Sequence, residues 1–478
     1  MPNTRTTTPR WPRPKLPRLE WNPANRAAIE QKVARAVDSP LVRGGLMIGA
    51  GIVTGNILGF FRVALTAYLL GTGSTADALA VAIGPLDTLN QIVTNTIIFA
   101  FVPLLTERSG PHRTALFLQM RSLFGRLFLV QAAALLLLAP WLLRLLAPGL
   151  DPATFDTAVT ILRIGSLSTV ALGVAAVHSA LLYTDRRFAP SAFYQATLNV
   201  CTMAFALIGW QWLGVYGFAI GYLAGAGAQL LIVSVASRSR LSTQGLPQPA
   251  LHWRQLVSQP GPILAYSAFI ALNVTVTRAY ATELGTGTAA AFEYCMRCIG
   301  VPLAFLVSPA SNSLLPEIAR LRKAGRLREA FRLIDRVTVL VAFVGLAGCA
   351  LAIAVREPVI ALIFERGSFT AESTRLVAAV FLGFAPALIG WSLLELTSRC
   401  LFSLERTWLP VVASTLPVLS NLAVIAAVRS PRPEWLGLGA TIGFAIGFLT
   451  LFLLARASRT ALLASMEAEE LRVHPQAG

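Results

Sequence analysis

The stretch GNILGFFRVALTAYLLGTGSTADALAVA, residues 55–82, decides how this chain folds. An apolar run ends in the turn LGTG at 70–73, and a second apolar run starts directly after it. Glycines allow a tight reversal. Both runs extend beyond the quoted stretch to the length that crosses a bilayer, about 20 residues for a hydrocarbon core of about 30 Å. The pattern predicts a hairpin of membrane-spanning helices. Arg62 sits inside the first run. A charge at bilayer depth costs about 3 kcal/mol on insertion scales, so such residues face a cavity, a partner or a pathway.

The same pattern repeats along the chain. Apolar runs of spanning length lie near 44–70, 77–105, 123–147, 157–183, 190–210, 214–237, 260–282, 288–314, 337–355, 372–398, 409–428 and 435–456. Of 478 residues, 55% are hydrophobic and 13% charged, and the mean hydropathy is +0.64. A soluble domain carries about 25% charged residues. The expected fold is therefore an all-α polytopic membrane protein of about twelve spans.

The net charge of +17 is almost entirely arginine. Such a balance can signal nucleic acid, but in a chain of spans it marks cytoplasmic loops. Nine Lys or Arg precede residue 44, and seven lie in 315–336, whereas the connections at 71–76, 148–156, 211–213 and 283–287 contain none. Arg356, Arg366, Arg429 and Arg432 are exceptions. The alternation predicts both termini in the cytoplasm. No nucleic-acid partner is expected, and membrane lipids are. Residues 1–43 read as a basic cytoplasmic tail with a short surface helix at 24–38, and 457–478 as a second cytoplasmic tail.

The two halves resemble each other. Arg62, LGTG at 70–73 and Pro103 in the first half match Arg278, LGTG at 284–287 and Pro316 in the second. From the last glycine of LGTG to the proline is 30 residues in one half and 29 in the other. Six spans per half keep the halves in the same orientation, related by an axis along the membrane normal. The expected organisation is a lobe at 44–237, a connector at 238–259 and a second lobe at 260–456, with a cleft between the lobes.

The candidate site residues are the charges within or beside spans. Arg62, Arg278 and Arg297 are candidate cavity cations, because the planar guanidinium binds phosphate oxygens in pairs. Asp77 opens the second span and is either a helix cap or a partner of Arg62. Asp87 lies inside that span, where it pairs with a cavity arginine or carries a coupling proton. Glu293 precedes Arg297 by four residues, the spacing of a helix-surface ion pair, which is compatible with cavity lining. No G-x-x-x-x-G-K-[ST] sequence is present. The five cysteines all lie in or beside spans and imply no disulfide framework. An intramembrane enzyme would need converging His, Asp or Glu groups. Of the four histidines only His178 lies in a span, with no acidic residue in that span beside it. No cofactor is expected beyond a coupling cation or the membrane potential.

Residues 55–82 resemble the first hairpin of the MurJ/MviN lipid II flippases, and AFVPLLTER at 100–108 is similar to the end of their second helix. EYCMRCIGVPLAFLVSPASNSLLPEIARL at 293–321, REPVIALIFERGSFTAEST at 356–374 and LLELTSRCLFSLERTWLP at 393–410 continue the resemblance. It implies the fold of the multidrug/oligosaccharidyl-lipid/polysaccharide exporter superfamily. It also implies that Arg62, Asp77 and Arg297 line or border the cavity that receives the substrate's diphosphate and sugar headgroup. Asn56 stands where the family usually has an arginine, Asn90 lies near another such position, and TNTII at 94–98 replaces an AEGAF-like stretch.

The expected function is a monomeric flippase in the bacterial cytoplasmic membrane. It would move lipid II, or a related polyprenyl-diphosphate glycolipid, to the outer leaflet by alternating access. Export of another lipid-linked oligosaccharide and a non-transporting scaffold are the alternatives.

Overall fold

The computed structural model describes residues 40–239, 241, 261–404, 406–428 and 432–473. The expected surface helix at 24–38 and most of the connector at 238–259 lie outside these residues. Every regular element described is helical. The first group comprises α1 (Pro40–Leu70), α2 (Ser74–Thr106), α3 (Gly110–Leu146), α4 (Pro152–Ser166), α5 (Ser168–Thr184), α6 (Tyr194–Ile208) and α7 (Tyr216–Arg238). The second comprises α8 (Gly261–Glu283), α9 (Thr288–Lys323), α10 (Leu327–Ala354), α11 (Arg356–Phe364), α12 (Ala371–Phe384), α13 (Ala387–Ser403), α14 (Trp408–Ala427) and α15 (Leu438–Val473).

Nine helices or helix runs among the described residues are long and apolar enough to cross a bilayer, with α4 and α5 forming one run. The pair α12 and α13, bent by 48°, makes a tenth. The break falls at Ala385 and Pro386, where the proline lacks the N–H that would continue the helix. The remaining two expected spans coincide with α6, which has only 15 residues, and with α9, whose 36 residues reach about 54 Å at 1.5 Å each. The last helix continues to Val473, past the expected end of its span at 456.

Large apolar side chains such as Leu137, Trp141, Phe343 and Leu346 are exposed on the outside of the bundle. That arrangement suits lipid, since hydrocarbon gives no incentive to bury them. Helix contact in such a solvent depends on close packing of small residues. Gly439, Gly443 and Gly447, spaced four apart on α15, meet α14 at Asn421, Pro417 and Ala413. At the start of α4, Asp151 accepts from the Thr154 N–H at 3.0 Å. Hydrogen bonds from Thr154 hold this carboxyl below the usual carboxylate range.

Within the first group α1 packs on α6, α2 on α4 and α5, and α7 on α5 and α6. Within the second, α14 packs on α8 and α15, α13 on α9 and α15, and α12 on α9. The groups touch through α2 with α8 and α9, α1 with α9 and α11, and α3 with α8. We call the end of the bundle that carries the turn at 71–73 the far end. The opposite end, where α2 finishes at Thr106 and α13 at Ser403, is the near end.

Candidate functional site: a charged cavity between two helix groups

A cavity of about 1970 Å³ lies between the groups. Arg62, Asp87, Arg278, Glu293 and Arg297 line its inner part, and Glu107, Glu395 and Arg399 line it nearer the near end. The three arginines singled out in the sequence thus share one space.

Arg62 and Arg278 each have a carboxylate partner on the next helix of their hairpin. Arg62 Nη2 lies 3.5 Å from Asp87 Oδ2, and Arg278 Nε donates to Glu293 Oε1 at 2.6 Å. Residues 278 and 293 are equidistant from the turn at 284–287, so antiparallel helices bring them level. The i,i+4 spacing of Glu293 and Arg297 pointed to a different pair. Glu293 instead reaches Arg278 across the hairpin. Arg297 has no carboxylate within ion-pair distance among the described residues.

Asp87 is fixed from its other side. Tyr222 on α7 donates its hydroxyl to Asp87 Oδ1 at 3.1 Å, and Asn90 donates to the Tyr222 oxygen at 3.2 Å. Asn90 is 6% exposed and does not line the cavity, whereas Asn56 does. The Asn90–Tyr222–Asp87 chain was not visible in the sequence, because Tyr222 lies 135 residues from Asp87 on an otherwise unremarked apolar helix. Tyr222→Phe removes a bond to the Asp87 carboxylate, about 1.5–3 kcal/mol, and a neutral bond of about 1 kcal/mol, and strands the Asn90 donor. The expected result is a lower thermal unfolding midpoint of the purified protein, measured by differential scanning fluorimetry, with Tyr222→Phe still inserted in the membrane.

Two guanidinium nitrogens, Arg62 Nε and Arg278 Nη1, are buried without a hydrogen-bond partner among the described residues. An unmade bond on a buried charged group costs about 1–3 kcal/mol.

Asp77, read from the sequence as either a cap of its own helix or a partner of Arg62, is neither and does not line the cavity. It is 3% exposed and reaches from α2 to the start of α9 in the other group. Its Oδ2 accepts from the Gly287 N–H at 2.5 Å and its Oδ1 from the Ala290 N–H at 2.7 Å. Helix N-termini leave N–H groups unpaired and carry positive dipole charge, which attracts a carboxylate. Around it, Tyr294 donates to the Gly71 carbonyl at 2.6 Å and Thr72 Oγ1 lies 2.8 Å from Ser373 Oγ. The Ser368 N–H donates to the Tyr68 carbonyl at 2.8 Å. Ser368 belongs to the FERGSFTAE segment, which turns at Gly367 (φ 61°) and caps α12 with Thr370. These contacts join the two groups across the far end of the cavity.

A bundle of apolar spanning helices in two packed groups, with arginines and carboxylates facing a shared internal cavity, defines a multi-pass membrane transporter. The family model described as "Lipid II flippase MurJ" matches residues 66–472, and the chain belongs to that family. A "Probable lipid II flippase MurJ" of Rhizobium meliloti (strain 1021) is 28% identical over 402 residues, covering 80% of this chain and 74% of that protein. The "Lipid II flippase MurJ" of Burkholderia cenocepacia is 25% identical over 435 residues, covering 86% and 83%. Among solved structures, "Lipid II flippase MurJ, inward closed conformation" superposes with a TM-score of 0.76 at 20% identity, covering 86% of this chain and 87% of that one. An inward-facing multidrug resistance MATE family transporter of the MOP superfamily superposes at 0.71 with 13% identity, covering 84% and 96%. The last two likenesses concern the fold alone.

Proposed function

We propose that this chain moves lipid II from the cytoplasmic to the outer leaflet of a bacterial inner membrane, as a non-enzymatic flippase working by alternating access. The observation that carries the reading is the meeting of Arg62, Arg278 and Arg297 in one cavity. The diphosphate of the headgroup supplies acceptors for the cavity-facing guanidinium nitrogens, and charge-assisted bonds of arginine to phosphate are strong and geometrically selective. Arg62 and Arg278 exchange part of their contact with Asp87 and Glu293 for phosphate oxygens, while Arg297 offers a guanidinium with no carboxylate on it.

With both termini in the cytoplasm, the near end faces inward and the far end outward. The contacts of Asp77, Thr72 and Tyr294 then close the cavity on the outer side. Ile52, Val53 and Phe61 of α1 and Ile263 and Leu264 of α8 line the cavity yet are exposed. This apolar edge suits a polyprenyl tail that stays in the bilayer while the headgroup enters. The membrane potential, which acts with about 2.3 kcal/mol per charge per 100 mV, or a coupling cation supplies the driving force.

Depletion of the protein followed by a test of lipid II accessibility at the outer face is the decisive experiment. Depleted cells are expected to hold lipid II out of reach of a membrane-impermeant probe. Normal accessibility in a cell with no second flippase would overturn the assignment.

A further inference from the structure

We propose that Gly84 is a positioning residue for the anion site: it seats the Arg278 guanidinium against α2 and so fixes where that cation meets the substrate's phosphate oxygens. The proposal rests on the cavity being the site of a lipid-linked diphosphate.

Arg278 belongs to α8 in the second group and is 4% exposed. Its guanidinium lies on α2 of the first group, directly over Gly84. A methyl carbon at position 84 would sit 2.7 Å from Arg278 Cζ, 2.8 Å from Nη2 and 2.9 Å from Nε. Ordinary van der Waals contact begins near 3.5 Å, so any side chain there occupies the space the guanidinium now fills. The Gly84 carbonyl accepts from the Thr88 hydroxyl at 3.0 Å, and among the described residues the hydrogen bond of Arg278 goes to Glu293 and not to that oxygen. The guanidinium is fixed instead by shape on the Gly84 side and by Glu293 at Nε, 2.6 Å away. That arrangement leaves Nη1 buried and unbonded. Asp87, the partner of Arg62, lies three residues along α2 from Gly84, one helical turn away on a shared face. Gly84 therefore brings the cation of one helix group beside the Arg62–Asp87 pair of the other.

Arg297 repeats the device on α1. A methyl carbon at Gly59 would lie 3.2 Å from Arg297 Nη1 and 3.3 Å from Asn199 Nδ2. Arg278 and Arg297 of the second group thus each rest on a glycine of the first. The contact at Gly59 is looser, so the two positions predict graded effects.

The atoms that an alanine at 84 would displace are the far end of a flexible side chain rather than backbone. Gly84→Ala is therefore expected to move the arginine and leave the fold intact. The test uses the full-length protein in nanodiscs, with farnesyl diphosphate, a short polyprenyl diphosphate, as the probe. Gly84→Ala is expected to weaken binding at least tenfold and Gly59→Ala about threefold, both with an unchanged thermal unfolding midpoint. Gly227→Ala, at a site with open space around it, is expected to bind as the parent does. An ammonium lacks the flat fork that the glycine accommodates. In an Arg278→Lys background Gly84→Ala is therefore expected to cost less than twofold, a coupling that a double-mutant cycle reads directly. Parent-like binding by Gly84→Ala, its failure to insert, or the same loss in the Arg278→Lys background would each overturn the proposal. Absence of farnesyl diphosphate binding by the unsubstituted protein would instead overturn the reading of the cavity as a diphosphate site.

Discussion

Arg62→Ala and Arg297→Ala are each expected to abolish complementation of a depleted strain while the protein still accumulates in the membrane. Arg62 lines the cavity with its Nε buried and unbonded, and its Nη2 faces Asp87 at 3.5 Å. Truncation removes the cation and leaves Asp87 facing the substrate's phosphate with only Tyr222 bonded to it. Attraction at that point of the site becomes repulsion between like charges. Arg297→Ala removes the one site arginine that carries no carboxylate partner among the described residues. A hydrogen bond to a charged group contributes about 1.5–3 kcal/mol, and two lost bonds at the lower figure already amount to more than a hundredfold in binding. Both side chains line the cavity, so immunoblots of the membrane fraction should show normal amounts. Full growth supported by both variants would refute the cavity role.

The second large effect is expected at Asp77. Asp77→Ala deletes two charge-assisted bonds to the Gly287 and Ala290 N–H groups and leaves those donors buried. At about 1.5–3 kcal/mol each, their loss shifts the balance between far-end-closed and far-end-open arrangements by more than a hundredfold. Position 290, 2% exposed and at the far end of the cavity lining, reports this shift. A cysteine placed there by Ala290→Cys should react with a membrane-impermeant maleimide added outside at least ten times faster when Asp77→Ala is present. Asp77→Asn keeps one acceptor oxygen without the charge and should fall between. Unchanged labelling would show that Asp77 does not hold the outer side closed.

Much of this was legible in the sequence because bilayers impose coarse rules. A run of about 20 apolar residues reads as a span whatever it packs against, so α1, α2 and α3 follow directly from their sequences. α6 was legible only through its place in the count, since 15 residues barely signal a crossing. The three arginines stood out because charge inside such a run has few uses. Their partners were harder to read. Spacing on one helix suggested Glu293 with Arg297, but hairpin geometry pairs Glu293 with Arg278. Equal distance of residues 278 and 293 from the LGTG turn was the signal that could have found the pair. Tyr222 and Asn90 gave no such signal, because the contact runs between helices far apart in the chain. Gly84 and Gly59 were silent for another reason. A glycine in an apolar helix looks like any small residue until the group lying on it is known.

The closure at the far end also has a consequence for how such chains vary. Asp77 contributes a side chain, but Gly287 and Ala290 contribute main-chain N–H groups. Two charged side chains can exchange places over generations and keep their bond, and the exchange leaves a correlated pair of positions. A carboxylate held by backbone has nothing to exchange with. Whatever residue replaces Ala290, short of proline, still presents the same donor. The chemistry of that contact is therefore written at position 77 alone, and no compensating change on α9 can restore it once the acid is lost.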